Sequence, residues 1–243
     1  MQKLNLKSML FLIATFILLP IYANAQEEMS TLFGGDKDIR YGGYGAFETK
    51  FSQLDDGFGG ILVGGRGGII LNNVFSFGGA GYGLLPTKKI ECTITGHKEE
   101  KNNYWTGGYG GFFFEYINSS NKLVHFTINA LIGWGGITYV SHSNNWNDWS
   151  SDNKKHPVSV TWIFEPGIGL ELNVAKIFRM YLGASYRYAP NFEFLNDIGN
   201  EIVPRTAFNG IAVNLAFKFG NFKGHTTKEI TDGIKNAFTD SEE

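Results

Sequence analysis

The chain has 243 residues, enough for one domain of ordinary size, and a formal net charge of -2, which offers no basic field to a nucleic acid. Glycine, at 32 residues, is nearly twice its average usage of about 7%, and aromatics make up 15% of the chain. The glycines sit inside apolar runs with no collagen-like period, which points to a tightly curved sheet rather than a linker.

The N-terminus reads as an export signal. Lys3 and Lys7 precede an apolar run over residues 9–19, Pro20 ends it, and Ala23-Asn24-Ala25 supplies a small-x-small cleavage pattern. The expected signal covers residues 1–25, with Gln26 as the mature start and residues 26–40 as a short periplasmic lead. The apolar run is shorter than the roughly 20 residues of a spanning helix. No cysteine stands at the cleavage site for lipidation, and the lone Cys92 can form no intrachain disulfide.

Period-two alternation then recurs eight times and predicts strands over 41–51, 59–70, 74–85, 104–117, 123–140, 158–172, 177–189 and 207–219. One face of each strand is polar. The first carries Tyr44, Ala46, Glu48 and Lys50, and the second Leu62, Gly64, Arg66 and Gly68. The fifth carries His125, Thr127 and Asn129, and the sixth Thr161, Glu165, Gly167, Gly169 and Glu171. The seventh carries Arg179, Tyr181, Gly183, Ser185 and Arg187, and the eighth Gly210, Ala212, Asn214, Ala216 and Lys218. The opposite rows are apolar, as in Val124, Phe126, Ile128, Ala130, Ile132 and Trp134. Glycines blur the alternation of the third strand. Pro166 lies inside the sixth on its apolar face, and a bulge eased by Gly167 is expected there.

No later segment is long and apolar enough for a membrane helix, so a membrane-spanning form must be a closed barrel. Alternation alone also fits a soluble lipocalin-like barrel, whose apolar row points inward. Three features favour a transmembrane barrel with the polar row inside. Short turns at 71–73, 118–122 and 173–176 alternate with long connections near 86–103, 141–157 and 190–206. The polar rows are rich in glycine and charge, as a narrow eight-stranded lumen demands. Aromatics gather towards strand ends, among them Phe47, Phe51, Trp105, Trp134, Trp162, Tyr186, Tyr188, Phe217 and Phe219. After the eighth strand, residues 220–243 form a periplasmic tail. In it Thr226-x-x-Glu229 has the form of a capping box, with Ile230, Ile234 and Phe238 in helical spacing.

The glycine-aromatic strands Tyr41-Gly42-Gly43-Tyr44-Gly45-Ala46-Phe47 and Gly107-Gly108-Tyr109-Gly110-Gly111-Phe112, with the ending Leu215-Ala216-Phe217-Lys218-Phe219, resemble small bacterial outer-membrane β-barrel proteins. The resemblance is to the eight-stranded, OmpA/OmpX-like barrel domain and covers residues 41–219. It implies an all-β, eight-stranded antiparallel up-and-down transmembrane β-barrel in the outer membrane, inserted by the barrel assembly machinery. It does not fix a function.

The inward rows set up a lumen charge network of Glu48, Lys50, Arg66, Glu115, His125, Glu165, Glu171, Arg179, Arg187 and Lys218. Its signs nearly balance, so pairing and a filled lumen are expected. The turn at 118–122 is expected to set Ile117 across from Leu123, and hence Glu115 across from His125. Glu171 should lie close to Arg179 with Lys218 at similar depth, and Arg66 within reach of Glu48 or Glu165. In the loop after the fifth strand, His142, Trp146, Asp148 and Trp149 are candidates for an external protein or glycan ligand. His142, Ser143 and Asp148 contain a nucleophile, a base and an orienter, but adjacent loop residues rarely reach catalytic geometry. The scattered His97, His125, His142, His156 and His225 give no metal-ligand spacing. The expectation is therefore a monomeric, non-enzymatic surface protein without metal or cofactor, in contact with outer-membrane lipid. The alternatives are an outer-membrane enzyme, lipid A-modifying or protease-like, and a soluble lipid-binding barrel.

Overall fold

The computed structural model describes residues 39–54, 59–85, 89–90, 102–142, 159–190, 194–195, 201–203, 206, 208–226, 229 and 231–232. Of the signal and lead expected over residues 1–40, residues 1–38 lie outside them, and Arg40 already opens the first strand. Eight long strands follow one another: β1 (Arg40–Leu54), β2 (Gly59–Leu71), β3 (Phe75–Leu84), β4 (Asn102–Ile117), β5 (Val124–His142), β6 (Ser159–Ala175), β7 (Phe178–Arg187) and β8 (Gly210–Thr226). Three short strand pieces, Lys89–Ile90, Phe194–Leu195 and Glu201–Val203, belong to the long connections.

Each strand pairs antiparallel with its sequence neighbours, and β8 returns to β1, with Glu48 opposite Ala216 and Leu54 opposite Gly210. The ring is therefore a closed, all-β, eight-stranded up-and-down barrel. Its short turns share one end with both ends of the barrel chain. At the β2–β3 turn, Asn72 and Asn73 take φ of 51° and 60°, the two positive values a type I′ turn requires and asparagine tolerates. The Val74 N–H donates to the Leu71 carbonyl at 3.0 Å and closes that turn.

The barrel is inside out. Glu48 and Glu171 are fully buried, whereas Phe112, Trp134, Val160 and Ile211 are each more than 60% exposed. β3, unreadable from its glycines, points Ser76, Ala80, Tyr82 and Leu84 inward and leaves Gly79, Gly81 and Gly83 outside. Within the lumen, Leu62, Tyr82, Tyr109, Phe113, Leu131, Ile137, Ile163 and Phe208 pack the half nearer the long connections. Tyr44, Ile70, Ile117 and Phe222 pack the turn end.

Three sequence expectations meet a different geometry. No bulge forms at Pro166. Phe164 and Tyr188 exchange backbone hydrogen bonds of 3.0 and 2.9 Å, and Gly167 faces Ser185 in the same register. Bonded pairs recur every second residue, so Pro166 would next bond Tyr186. The proline ring removes that donor, and the ladder skips a rung without slipping.

Nor does Glu115 face His125. Ile117 stands opposite Thr127 and Glu115 opposite Asn129, while His125 stands opposite Glu171 on β6. The turn leans onto β6, where the Asn173 amide donates to the carbonyls of Ser120 and Lys122 at 2.9 and 2.6 Å. β5 thus starts against β6, staggered relative to β4 as strands of a tilted barrel are.

Finally, β8 does not stop at Phe219 but runs on to Thr226, held by β1 up to the Arg40–Thr226 pair. A register shift opposite Gly42 gives β8 two extra residues, and Gly224 takes the positive φ of 69° that this detour needs. The detour turns Phe222 into the lumen mouth, where its ring lies 6.3 Å from that of Tyr44.

Candidate functional site

Charged side chains enter the lumen because every second residue of a strand must, and the barrel stacks them in layers. In the layer towards the long connections, Lys50 Nζ lies 2.5 Å from Glu165 Oε1. The same carboxylate accepts Ser185 Oγ at 2.7 Å and the Tyr109 hydroxyl. The ammonium also stands 3.7 Å above the Tyr82 ring.

In the middle layer Arg66 is flanked by the rings of Phe113 and Tyr181, at 4.6 and 4.4 Å. Its Nε lies 3.3 Å from Glu48 and its Nη2 3.7 Å from Glu115. Neither nitrogen meets hydrogen-bond geometry, so the attraction is one of charge between buried groups rather than of directed bonds. Glu48 accepts the Tyr82 hydroxyl at 2.8 Å.

The layer at the turn end is the densest. Lys218 Nζ contacts both oxygens of Glu115 at 2.8 Å and also contacts Glu171. Glu171 Oε2 lies 3.1 Å from His125 Nε2 and 3.3 Å from Arg179 Nη1. The Tyr44 hydroxyl donates to Glu115 at 3.2 Å. Arg179 carries the Phe222 ring 4.1 Å from its guanidinium carbon, so the plug of this end rests on a buried cation.

Arg187 stands apart, with no carboxylate within ion-pair distance among the described residues. Its Nε donates to the Phe208 carbonyl at 2.8 Å and its Nη2 to Ser52 Oγ at 3.0 Å. The Phe208 ring covers it at 4.2 Å.

All ten residues of the expected network are thus buried in one lumen, where four carboxylates face five permanent cations and His125. Arg66 finds Glu48 and Glu115 rather than Glu165, which Lys50 takes. Sequence reasoning missed Tyr82, Tyr109 and Phe113, whose strands have glycine on both faces, and the plugs Phe208 and Phe222, which lie beyond the regular alternation. A glycine-flanked tyrosine inside a strand was the available signal. His142 ends β5, and Trp146, Asp148 and Trp149 lie outside the described residues.

The arrangement is a barrel with a charge-lined interior under an apolar coat. No protein-family model and no curated protein matches the chain. Among solved structures it is similar to Neisserial surface protein A, at 10% identity and a TM-score of 0.45 over 76% of this chain and 99% of that one. It is also similar to Ail, the attachment invasion locus protein of Yersinia pestis, at 11% identity and a TM-score of 0.42 over 76% and 99%. A third similarity is to a major outer membrane protein from Thermus thermophilus, at 7% identity and a TM-score of 0.44 over 75% and 98%.

Proposed function

We propose that the chain is an exported bacterial outer-membrane protein of structural or surface-interaction type, a monomer whose lumen is filled and whose long loops face outward. The observation that carries this reading is the inversion of the barrel. Outward rows of Phe, Trp, Ile, Leu and Val are exposed, while Glu, Lys and Arg are buried. Exposed to water, that apolar coat would sacrifice about 25 cal/mol for each Å² left unburied; facing lipid, it needs no cover. A soluble lipid carrier needs an apolar cavity, and this interior is charged.

The role is non-enzymatic. Glu48, Glu115, Glu165 and Glu171 are each engaged by a cation inside the lumen. Function then rests with the loops, which offer aromatic and amide side chains to an external protein or glycan, with the barrel assembly machinery inserting the chain and outer-membrane lipid surrounding it.

Cell fractionation tests the location. The protein should sediment with outer membrane, resist carbonate extraction and run faster on gels unboiled than boiled. Release with the soluble periplasm would sink the reading. Epitopes placed near His97, Trp146 and Asn196 should be reached by antibody on intact cells; labelling only after the outer membrane is broken would reverse the topology.

A further inference from the structure

At the turn end, β8 outruns β7. Their last pair is Phe219 with Phe178, so Asn221 to Thr226 have no strand partner on that side. The step leaves a cleft of about 700 Å³ on the outer wall, lined by Lys176, Ile177, Phe219, Asn221 and Lys223, with His225 and Glu229 at its rim. Its chemistry is graded along β8. The exposed row reads Phe219, Asn221, Lys223, His225, so apolar surface becomes amide and then cation within a few residues. Phe219 stacks on Phe178 at 4.8 Å and Ile177 is 66% exposed, which continues the apolar coat up to the cleft.

Among the described residues that line the cleft, the one carboxylate is already engaged. Glu229 accepts the Thr226 N–H at 3.0 Å and lies 3.6 Å from His225. Lys176 and Lys223 have no carboxylate partner among the described residues. Two cations one step beyond an aromatic-apolar floor match a molecule with a phosphate above an acyl chain. A soluble anion would leave the floor unused, and a neutral headgroup would leave the lysines uncompensated.

We propose that this cleft holds the headgroup of an anionic glycerophospholipid, its phosphate between Lys176 and Lys223 and an acyl chain against Ile177 and Phe219. The inference rests on the membrane-spanning reading above. Under that reading the turn end faces the periplasm, and the lipid belongs to the inner leaflet.

Native mass spectrometry of the purified full chain in detergent, titrated with phosphatidylglycerol, tests it. Each lysine near a lipid surface contributes about a factor of five in affinity, so K176Q/K223Q should weaken the first phosphatidylglycerol by about twenty-five-fold. K176R/K223R should retain it. K122Q, at another turn of the same end, should leave it unchanged. An equal loss in K122Q would reduce the effect to general surface charge and overturn the site, as would no loss in the double variant. Inorganic phosphate bound as tightly as the lipid, and lost in the same variant, would make it a soluble-anion site and overturn the lipid assignment. Gel mobility before boiling confirms that each variant is folded. Failure of the wild-type chain to float with vesicles would instead refute the membrane reading itself.

Discussion

Lys50 and Glu165, 115 residues apart in sequence, meet at 2.5 Å across the lumen, and neither side chain is more than 4% exposed. Breaking one half of such a pair strands the other charge, whereas replacing both removes two desolvation costs together. K50M and E165Q should therefore each destabilise the barrel, and K50M/E165Q should be less unstable than their sum by about 1–3 kcal/mol. Urea unfolding of vesicle-inserted protein measures the cycle. Strict additivity would mean that the two charges do not interact across the lumen.

Arg66 serves two carboxylates at once, Glu48 at 3.3 Å and Glu115 at 3.7 Å. Glu115 keeps Lys218 if Arg66 is lost, but among the described residues Glu48 keeps only the Tyr82 hydroxyl. R66L should therefore cost about 3–5 kcal/mol, and adding E48Q should recover part of it. A mild R66L, unresponsive to E48Q, would indicate a hydrated lumen in which charges act independently.

Tyr181 is fully buried and accepts the Asn129 amide at 3.0 Å. Its ring occupies the space in front of Gly169, where an added Cβ would fall 2.5 Å from the ring carbon Cζ. G169V should push Tyr181 off Arg66 and cost about 1–3 kcal/mol as overpacking. If Y181A removes most of that penalty when combined with G169V, the clash is assigned to the ring; no relief would place the strain in the backbone.

Most of the barrel was legible because a strand facing lipid on one side and a lumen on the other must alternate. Arg179, Tyr181, Ser185 and Arg187 declare the inner row of β7 by themselves. Alternation gives the face but not the register. The partner of His125 depended on how the turn at 118–123 leans, which the Asn173 amide decides from another strand. β3 was opaque because Gly79, Gly81 and Gly83 erase its outer row. Pro166 misled because a proline can cost a rung without inserting a residue. The end of β8 was hidden because Phe219 closes the apolar row, and the seven residues after it, interrupted by the register shift, continue through a wall already polar.

Beyond the barrel wall, Thr226 and Glu229 cap each other, the Thr226 N–H donating to the carboxylate at 3.0 Å and the Glu229 N–H to Thr226 Oγ1 at 3.3 Å. The hydrogen bond from Thr226 and the nearby His225 hold the Glu229 carboxyl below its ordinary range. Its pKa is lower in the folded cap than in the frayed one. The cap is then fully supported above the ordinary carboxylate range and loses that support as pH falls through the lowered value. The protection of the Glu229 amide, corrected for the intrinsic pH dependence of exchange, should fall on acidification in the wild type and be insensitive in E229Q. Equal pH responses in the two proteins would remove Glu229 from the cap.

The last prediction concerns conduction. Eight strands leave an interior only as wide as the side chains that fill it. Here both mouths carry a buried aromatic over a buried cation, Phe208 on Arg187 at 4.2 Å and Phe222 on Arg179 at 4.1 Å. Between them, Leu62, Leu131, Ile137 and Ile163 pack against Tyr82 and Tyr109, and the ion pairs occupy the remaining layers. An ion crossing this interior would have to displace a plug and then compete with carboxylates already held by lysine and arginine. Planar-bilayer recording of the purified protein should therefore show no steady, large single-channel currents. F208A/F222A should admit at most brief, small openings, since the charge layers still block the path. Large ohmic currents from the wild type would mean that the lumen opens in the bilayer and would refute the filled-barrel reading.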